Sequence, residues 1–322
     1  MPPSDQPILD APPSALIEAV REVVKGWRRA LCEARRPPDL IFHYCDANAL
    51  LNILQTQKLW ATATRYLNDK TELVMSFRNV PQHLANLPDS AALRIFTEGH
   101  AKGLFSTTAD LMSNAIGMEQ FVTCFSEDED SLSQWRAYGS DGTGFALGFA
   151  PSELAMLQGD AVSDGVIRGM KYGAADESDL VVSLASELIA VVEPYVDALE
   201  TTGWNTPRAE PLTTRQWLGL RFGECIADLA FESKDVTFRD EKEWRIYANA
   251  GDLQFRATPR GIVPYRSLDA RAVGSNRMPL KRIVMGPKLD PLQTTRVLMY
   301  LTESQGYGHG GVDIRPSRCP YR

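Results

Sequence analysis

The stretch LIFHYCDANALLNILQTQKLWATAT, residues 40–64, reads as strand, helix, strand. Leu40 to Tyr44 is short, apolar and rich in aromatic side chains, as a buried strand requires. Asp46 can accept hydrogen bonds from the first turn of a helix. Ala47 to Gln57 then gathers Leu50, Leu51, Ile53 and Leu54 at helical spacing, and Leu59 to Thr64 returns to strand character. Upstream, Leu16, Ile17, Val20, Val23, Val24 and Trp27 recur at helical spacing over 15–36, where Pro37-Pro38 stops the run. Residues 1–14 are Pro-rich and read as a flexible lead.

Downstream, residues 70–116 read as two helices divided by Leu87-Pro88-Asp89. Met118 to Ser126 is apolar on both faces, which predicts a strand in the middle of a sheet. A short helix with Trp135 and Tyr138 follows. Gly144 to Phe149 then alternates bulky Phe145, Leu147 and Phe149 with Ala146 and Gly148, leaving one face small enough for something to approach. Residues 176–232 read as two helices, and strands return at Glu241–Tyr247, Arg260–Tyr265 and Lys281–Met285. Asp290-Pro291 opens a helix to about Glu303, and Val312–Arg315 is a last candidate strand. Strands from both ends of the chain with long helices between them predict one α+β domain over 15–322, with a helical insertion at about 176–232.

The 322 residues are 44% hydrophobic and 23% charged, ordinary for a globular chain, so collagen-like and disordered classes are excluded. A net charge of −7 argues against a strongly basic nucleic-acid surface. Five Cys, an odd number without a CxxC pair, argue against a disulfide framework or a Cys-rich zinc site. Only His43, His83, His100 and His309 are present, without HExxH, so no metal is expected. No GxGxxG or GxxxxGK[ST] stands at a strand–helix turn. No signal-type N-terminus and no apolar run of about 18 residues occurs, so a cytoplasmic protein without membrane contact is expected.

Several residues could carry chemistry. His43 is either a hydrogen-bonded structural residue or a ligand contact. Tyr66 and Asn68, after the second strand, read as a turn and cap or as the rim of a cleft. Ser126 lacks a nucleophile elbow, and a hydrogen-bonding role toward a ligand suits it better. The run Glu127 to Asp130 reads as a solvated acidic loop, with a metal-dependent nuclease site, drawing also on Asp69 or Glu72, as the alternative. Trp135 and Tyr138 are i, i+3 partners, either core packing or an aromatic wall for a planar ring. In Glu241–Tyr247, period two puts Glu241, Glu243, Arg245 and Tyr247 on one face, as a plain Glu–Arg pair or as a carboxylate poised in a cleft.

Phe42-His43-Tyr44, Ala49–Leu54, Leu59-Trp60, Tyr66–Asp69, Cys124–Glu127, Trp135, Tyr138-Gly139, Gly144–Phe149, Glu241–Arg245 and Gly286-Pro287-Lys288 form an ordered series. Over about residues 40–290 it resembles the bacterial family called domain of unknown function 2971. A remoter likeness is to ADP-ribosyltransferases, in which an early strand carries a His or Arg and a late strand carries a catalytic Glu. That likeness implies a mixed, split-sheet α+β core and an enzyme that uses NAD as substrate and cleaves its nicotinamide–ribose bond. It implies a toxin or anti-phage effector with an unknown acceptor, protein or nucleic acid. On this reading Glu243, His43 and Tyr66 are catalytic, and Tyr44, Asn68, Ser126, Trp135, Tyr138 and Arg245 bind NAD. His43 would hold a ribose hydroxyl, Tyr66 or Tyr138 would stack on nicotinamide, and Glu243 would face the developing cation. A non-catalytic module binding a nucleotide or a protein is the alternative.

Overall fold

The computed structural model describes residues 14–33, 35–67, 72–102, 120–155, 166–202, 213–248, 251–258 and 261–321. Among them the helices are α1 (Ser14–Glu33), α2 (Ala47–Thr56), α3 (Glu72–Leu84), α4 (Ala91–Lys102), α5 (Leu132–Ala137), α6 (Ala174–Val192), α7 (Val196–Thr202), α8 (Thr214–Phe231) and α9 (Pro291–Ser304). The strands are β1 (Ile41–Cys45), β2 (Lys58–Ala63), β3 (Phe121–Ser126), β4 (Phe145–Phe149), β5 (Val166–Gly169), β6 (Lys171–Tyr172), β7 (Ser233–Lys234), β8 (Glu243–Ala248), β9 (Leu253–Thr258), β10 (Gly261–Asp269), β11 (Leu280–Met285) and β12 (Asp313–Pro316). They make two compact units.

One unit is helical and takes its described residues from α1, α3–α4 and the stretch from β6 to β7. Leu16, Val20, Val24 and Trp27 give α1 its buried stripe. That stripe shares a core with Val181, Leu184 and Leu188 of α6 and with Phe222 and Ile226 of α8. Thr213 starts α8 with a reciprocal capping box to Gln216. A polar knot sits among the helices: buried Glu177 accepts from Ser76 Oγ at 2.8 Å, and His83 Nε2 lies 3.6 Å from it. The helices read as an insertion at 176–232 therefore share one core with helices from two earlier stretches.

The other unit is built on a mixed ten-stranded sheet, which makes the protein α+β. Asp46 caps α2 as expected, its carboxylate accepting from Ala49 N at 2.7 Å. Asp290 does the same for α9 at Gln293 N, with Pro291 in its first turn. β3 lies in the middle of the sheet, as its two apolar faces predict. One edge of β3 pairs with β8 along its whole length, from Phe121↔Ala248 to Ser126↔Glu243, and β5 lies beyond β8. The opposite edge is shared. β2 pairs only at Thr62↔Val122 and Ala63↔Phe121, and β1 only at Phe42↔Ser126. The sheet forks here. One branch continues through β1, β4, β11 and β12, and the other through β2, β10 and β9. A large apolar core containing Ile41, Leu54, Leu147, Trp244 and Ile283 covers one face.

Two expectations are corrected at this level. Glu241 is outside the strand: it ends a 3₁₀ turn (Val236–Glu241), and Lys242, with φ +44°, turns the chain before β8 starts at Glu243. The small face of β4 receives the protein's own core, since a Cβ on Gly148 would stand 2.7 Å from Phe42 Cε1.

Candidate functional site

The fork takes a ladder partner away from the middle of β3. A buried carbonyl there must find another donor. His43 supplies it: Nδ1 donates to the Cys124 carbonyl oxygen at 2.9 Å. In the neutral ring that bond makes Nε2 the acceptor. The imidazole lies 5.6 Å from the Phe125 ring, centroid to centroid. Burial holds it below its ordinary pKa; the charge of Arg256 acts in the same direction, and the bond to Cys124 opposes them. On the other branch, Thr123 Oγ1 donates to the Trp60 carbonyl at 3.1 Å.

A cavity of about 60 Å³ opens at the fork. His43, Phe42 and Tyr44 of β1 line it together with Cys124 and Phe125 of β3. Gln134, Tyr138, Glu241 and Glu243 complete the lining. His43 and Glu243, two hundred positions apart, thus meet around one space. One water needs about 10–15 Å³ of such space, and pockets for drug-sized ligands run to about 300–1,000 Å³. As it stands, the cavity takes a hydroxyl pair or a small polar group, not a dinucleotide.

Glu243 is 5% exposed and Arg245 is 1% exposed. Two positions apart on one strand face, they form a two-pronged pair: Arg245 Nε to Glu243 Oε1 at 2.8 Å and Nη2 to Oε2 at 3.1 Å. Both members of the pair lie within the fold. Removing one partner from such a pair costs about 3–5 kcal/mol. Arg245 therefore orients Glu243 and does not line the cavity.

The remaining expected residues separate. Tyr138 lines the cavity, its hydroxyl 3.4 Å from Glu241 Oε1. Tyr44 lines it too, but its hydroxyl is spent on the chain: it donates to the Asp128 carbonyl at 2.8 Å and accepts from Ser131 N at 3.0 Å. Ser126 is structural: its hydroxyl donates to the Glu241 carbonyl at 2.7 Å and accepts from Asp128 N. Trp135 is wholly buried, stacked edge-on against Tyr44, with its indole N–H on Asp130 Oδ1. It is a core residue, not an exposed aromatic wall. Tyr66 stands 47% exposed just beyond β2 and is not among the cavity residues. Asn68 and Asp69 lie outside the described residues, as does the Glu72 side chain.

The acidic run is not a solvated loop. Glu127 accepts from the Trp244 indole and from Arg35; Asp128 pairs with Lys242; Glu129 pairs with Arg282. Asp130 accepts from Ser317 Oγ and Arg318 N as well as from Trp135. These carboxylates tie distant segments of the unit together. Among the described residues no group of three His, Cys, Asp or Glu could hold a metal ion. Gln134 and Glu241 are cavity residues that sequence reasoning did not single out as site members. Period two places Glu241 on the strand face, and Gln134 carries no signal beyond its place beside Trp135.

No helix among the described residues is long and apolar enough to cross a membrane. No curated protein and no solved structure matches the chain, so nothing in these comparisons carries the likeness to ADP-ribosyltransferases. The likeness to domain of unknown function 2971 rests on a shorter stretch than the series 40–290 suggests: residues 134–246, from α5 into β8, match the family described as "Protein of unknown function (DUF2971)".

Proposed function

We propose that the fork cavity binds the ribose end of an NAD-type nucleotide and that the protein transfers ADP-ribose from it. The observation that carries this reading is the meeting of His43 and Glu243 around one cavity at a split in the sheet. In this chemistry the bond between nicotinamide and C1′ of the ribose breaks, and its electron pair leaves with the now neutral nicotinamide. The sugar passes through an oxocarbenium-like state. An O–H or N–H acceptor attacks C1′ and releases its proton to solvent. The residues required are few: a carboxylate beside the developing positive charge and a group that fixes the sugar. Glu243, held rigid by Arg245, suits the first role. His43 Nε2, the acceptor end of an imidazole pinned by Cys124, suits the second. The cavity volume limits what enters to the sugar end, and the rest of the dinucleotide lies outside it.

A second reading, a non-catalytic nucleotide-binding module, is favoured by the closed Glu243–Arg245 pair, which already satisfies both carboxylate oxygens. Incubation with NAD and cell extract, with free nicotinamide as readout, separates the two. Transfer predicts nicotinamide release that falls about 10²–10³-fold in His43→Ala and in Glu243→Gln. His43→Ala is the cleaner variant, because it leaves the ion pair intact. Binding of NAD without release from any extract removes the enzyme and leaves the module. Absence of both binding and release removes the nucleotide reading.

A further inference from the structure

Arg256 of β9 has an unusual environment. Strand register carries its side chain to the same sheet face as Tyr265 and Thr62, through Val263↔Arg256 and Tyr265↔Thr62, and Thr62 is opposite Val122 at the fork. The guanidinium carbon stands 5.3 Å from the centroid of the Trp60 ring and 5.9 Å from that of Tyr265. The two rings lie 4.7 Å apart. Nη2 donates to Thr62 Oγ1 at 2.8 Å, while Nε is buried and has no partner among the described residues. Arg245, Arg282 and Arg35 of this unit are each paired with a carboxylate. Among the described residues no carboxylate pairs with Arg256. Arg266 lacks one too, and its Nε is likewise buried without a partner, but it lies on the opposite face over Phe121 and gives Nη1 to the Gly251 carbonyl.

A half-buried cation with an orphaned donor, in a chain of net charge −7, is costly to keep unless something anionic completes it. The two rings offset part of that cost through their π-faces. The bond to Thr62 ties one end of the planar guanidinium, and the donors that remain form a fork. Such a fork matches two oxygens of a phosphate. Arg256 is also close enough for its charge to be felt at His43, across the fork from β2.

We propose that Arg256, seated on Trp60 and Tyr265 and held by Thr62, is an anion site that takes the diphosphate of a small nucleotide ligand. This rests on the nucleotide reading of the fork cavity and places the charged part of that ligand beside it. The test needs no turnover. Inorganic pyrophosphate and ADP are titrated into the protein at fixed ionic strength, with sulfate as the control anion. Binding is followed by calorimetry and by the indole N–H signal of Trp60. Saturable binding of both diphosphates, weakened about tenfold or more in Arg256→Gln and partly restored in Arg256→Lys, is the expected result. ADP binding tighter than pyrophosphate assigns the site to a nucleotide, and equal binding assigns it to free diphosphate. No saturable binding by the wild type overturns the proposal whether or not the variants fold. Binding unchanged in Arg256→Gln, or matched by sulfate, also overturns it. Nicotinamide release can fail while Arg256-dependent binding persists, and the reverse can hold, so the two readings fail separately.

Discussion

His43 shows how one side chain repairs a defect in a sheet. Where β1 and β2 part company along β3, the Cys124 carbonyl takes its hydrogen bond from an imidazole. That arrangement has a pH signature. Burial depresses the imidazole pKa in the folded protein below the value of about 6.5 that it has in the unfolded chain. Between those two values the unfolded chain binds more protons than the folded one. The contribution is therefore complete above pH of about 6.5 and is lost as the pH falls toward the folded value. Urea unfolding between pH 7.5 and 5.5 should show stability falling with acidity by up to about 1.4 kcal/mol per unit from this group alone. His43→Gln should flatten that part of the curve, and equal slopes in both proteins would refute the assignment. His43 and Glu243 were legible as candidates because a histidine and a Glu-x-Arg in apolar strands demand an explanation. The partners of Ser126 and Trp135, Glu241 and Asp130, are not legible in the sequence, because they are fixed by loop geometry that no local pattern reveals.

At the level of elements, punctuation made the boundaries readable. The opening β1–α2–β2 unit and α9 fall within a residue or two of expectation, because Asp46 and Asp290 cap their helices. The sequence does not announce β5 and β9, for opposite reasons. β5 is only four residues long, and β9 has an outward face, with Leu253 and Phe255 more than half exposed, that blurs the alternation. Glycines test the packing of elements directly. A Cβ at Gly148 would press on Phe42 Cε1 at 2.7 Å and on Arg282 Cβ at 3.2 Å. Gly148→Ala should therefore cost about 1–3 kcal/mol, the usual penalty of overpacking. Gly26 lies within α1, and a Cβ there would meet nothing within 4 Å. Gly26→Ala should stabilise by about 0.5–1 kcal/mol. Opposite shifts in thermal midpoint check both. A neutral Gly148→Ala would mean that Phe42 can move aside, and so that one wall of the fork cavity is loose.

At the scale of the whole chain, amphipathic stripes announced that α1, α6 and α8 each bury a face, but not what each one faces. The answer lies far away in sequence. Leu16, Val20 and Trp27 share a core with Leu184 and Phe222, and the rings of Phe96 and Phe222 lie 5.8 Å apart. The return of strands after 176–232 predicts that this stretch is an insertion. In the structure it supplies the faces that α1, α3 and α4 cover. Excising it and joining the ends with a short Gly/Ser linker tests this. A removable insertion would leave a protein that unfolds cooperatively and stays monomeric. A shared core predicts otherwise. Leu16, Val20, Val24, Trp27, Val80 and Phe96, each less than a tenth exposed, would lose most of their neighbours, and each such side chain represents about 1.5–3 kcal/mol of burial. Ser76 and His83 would also lose the Glu177 carboxylate. Because whole domains are stable by only about 5–15 kcal/mol, the excised protein should aggregate or bind a hydrophobic dye strongly. Size-exclusion chromatography with dye fluorescence decides the matter. A soluble, dye-negative excision product would show that the first three long helices of the helical unit can close a core among themselves.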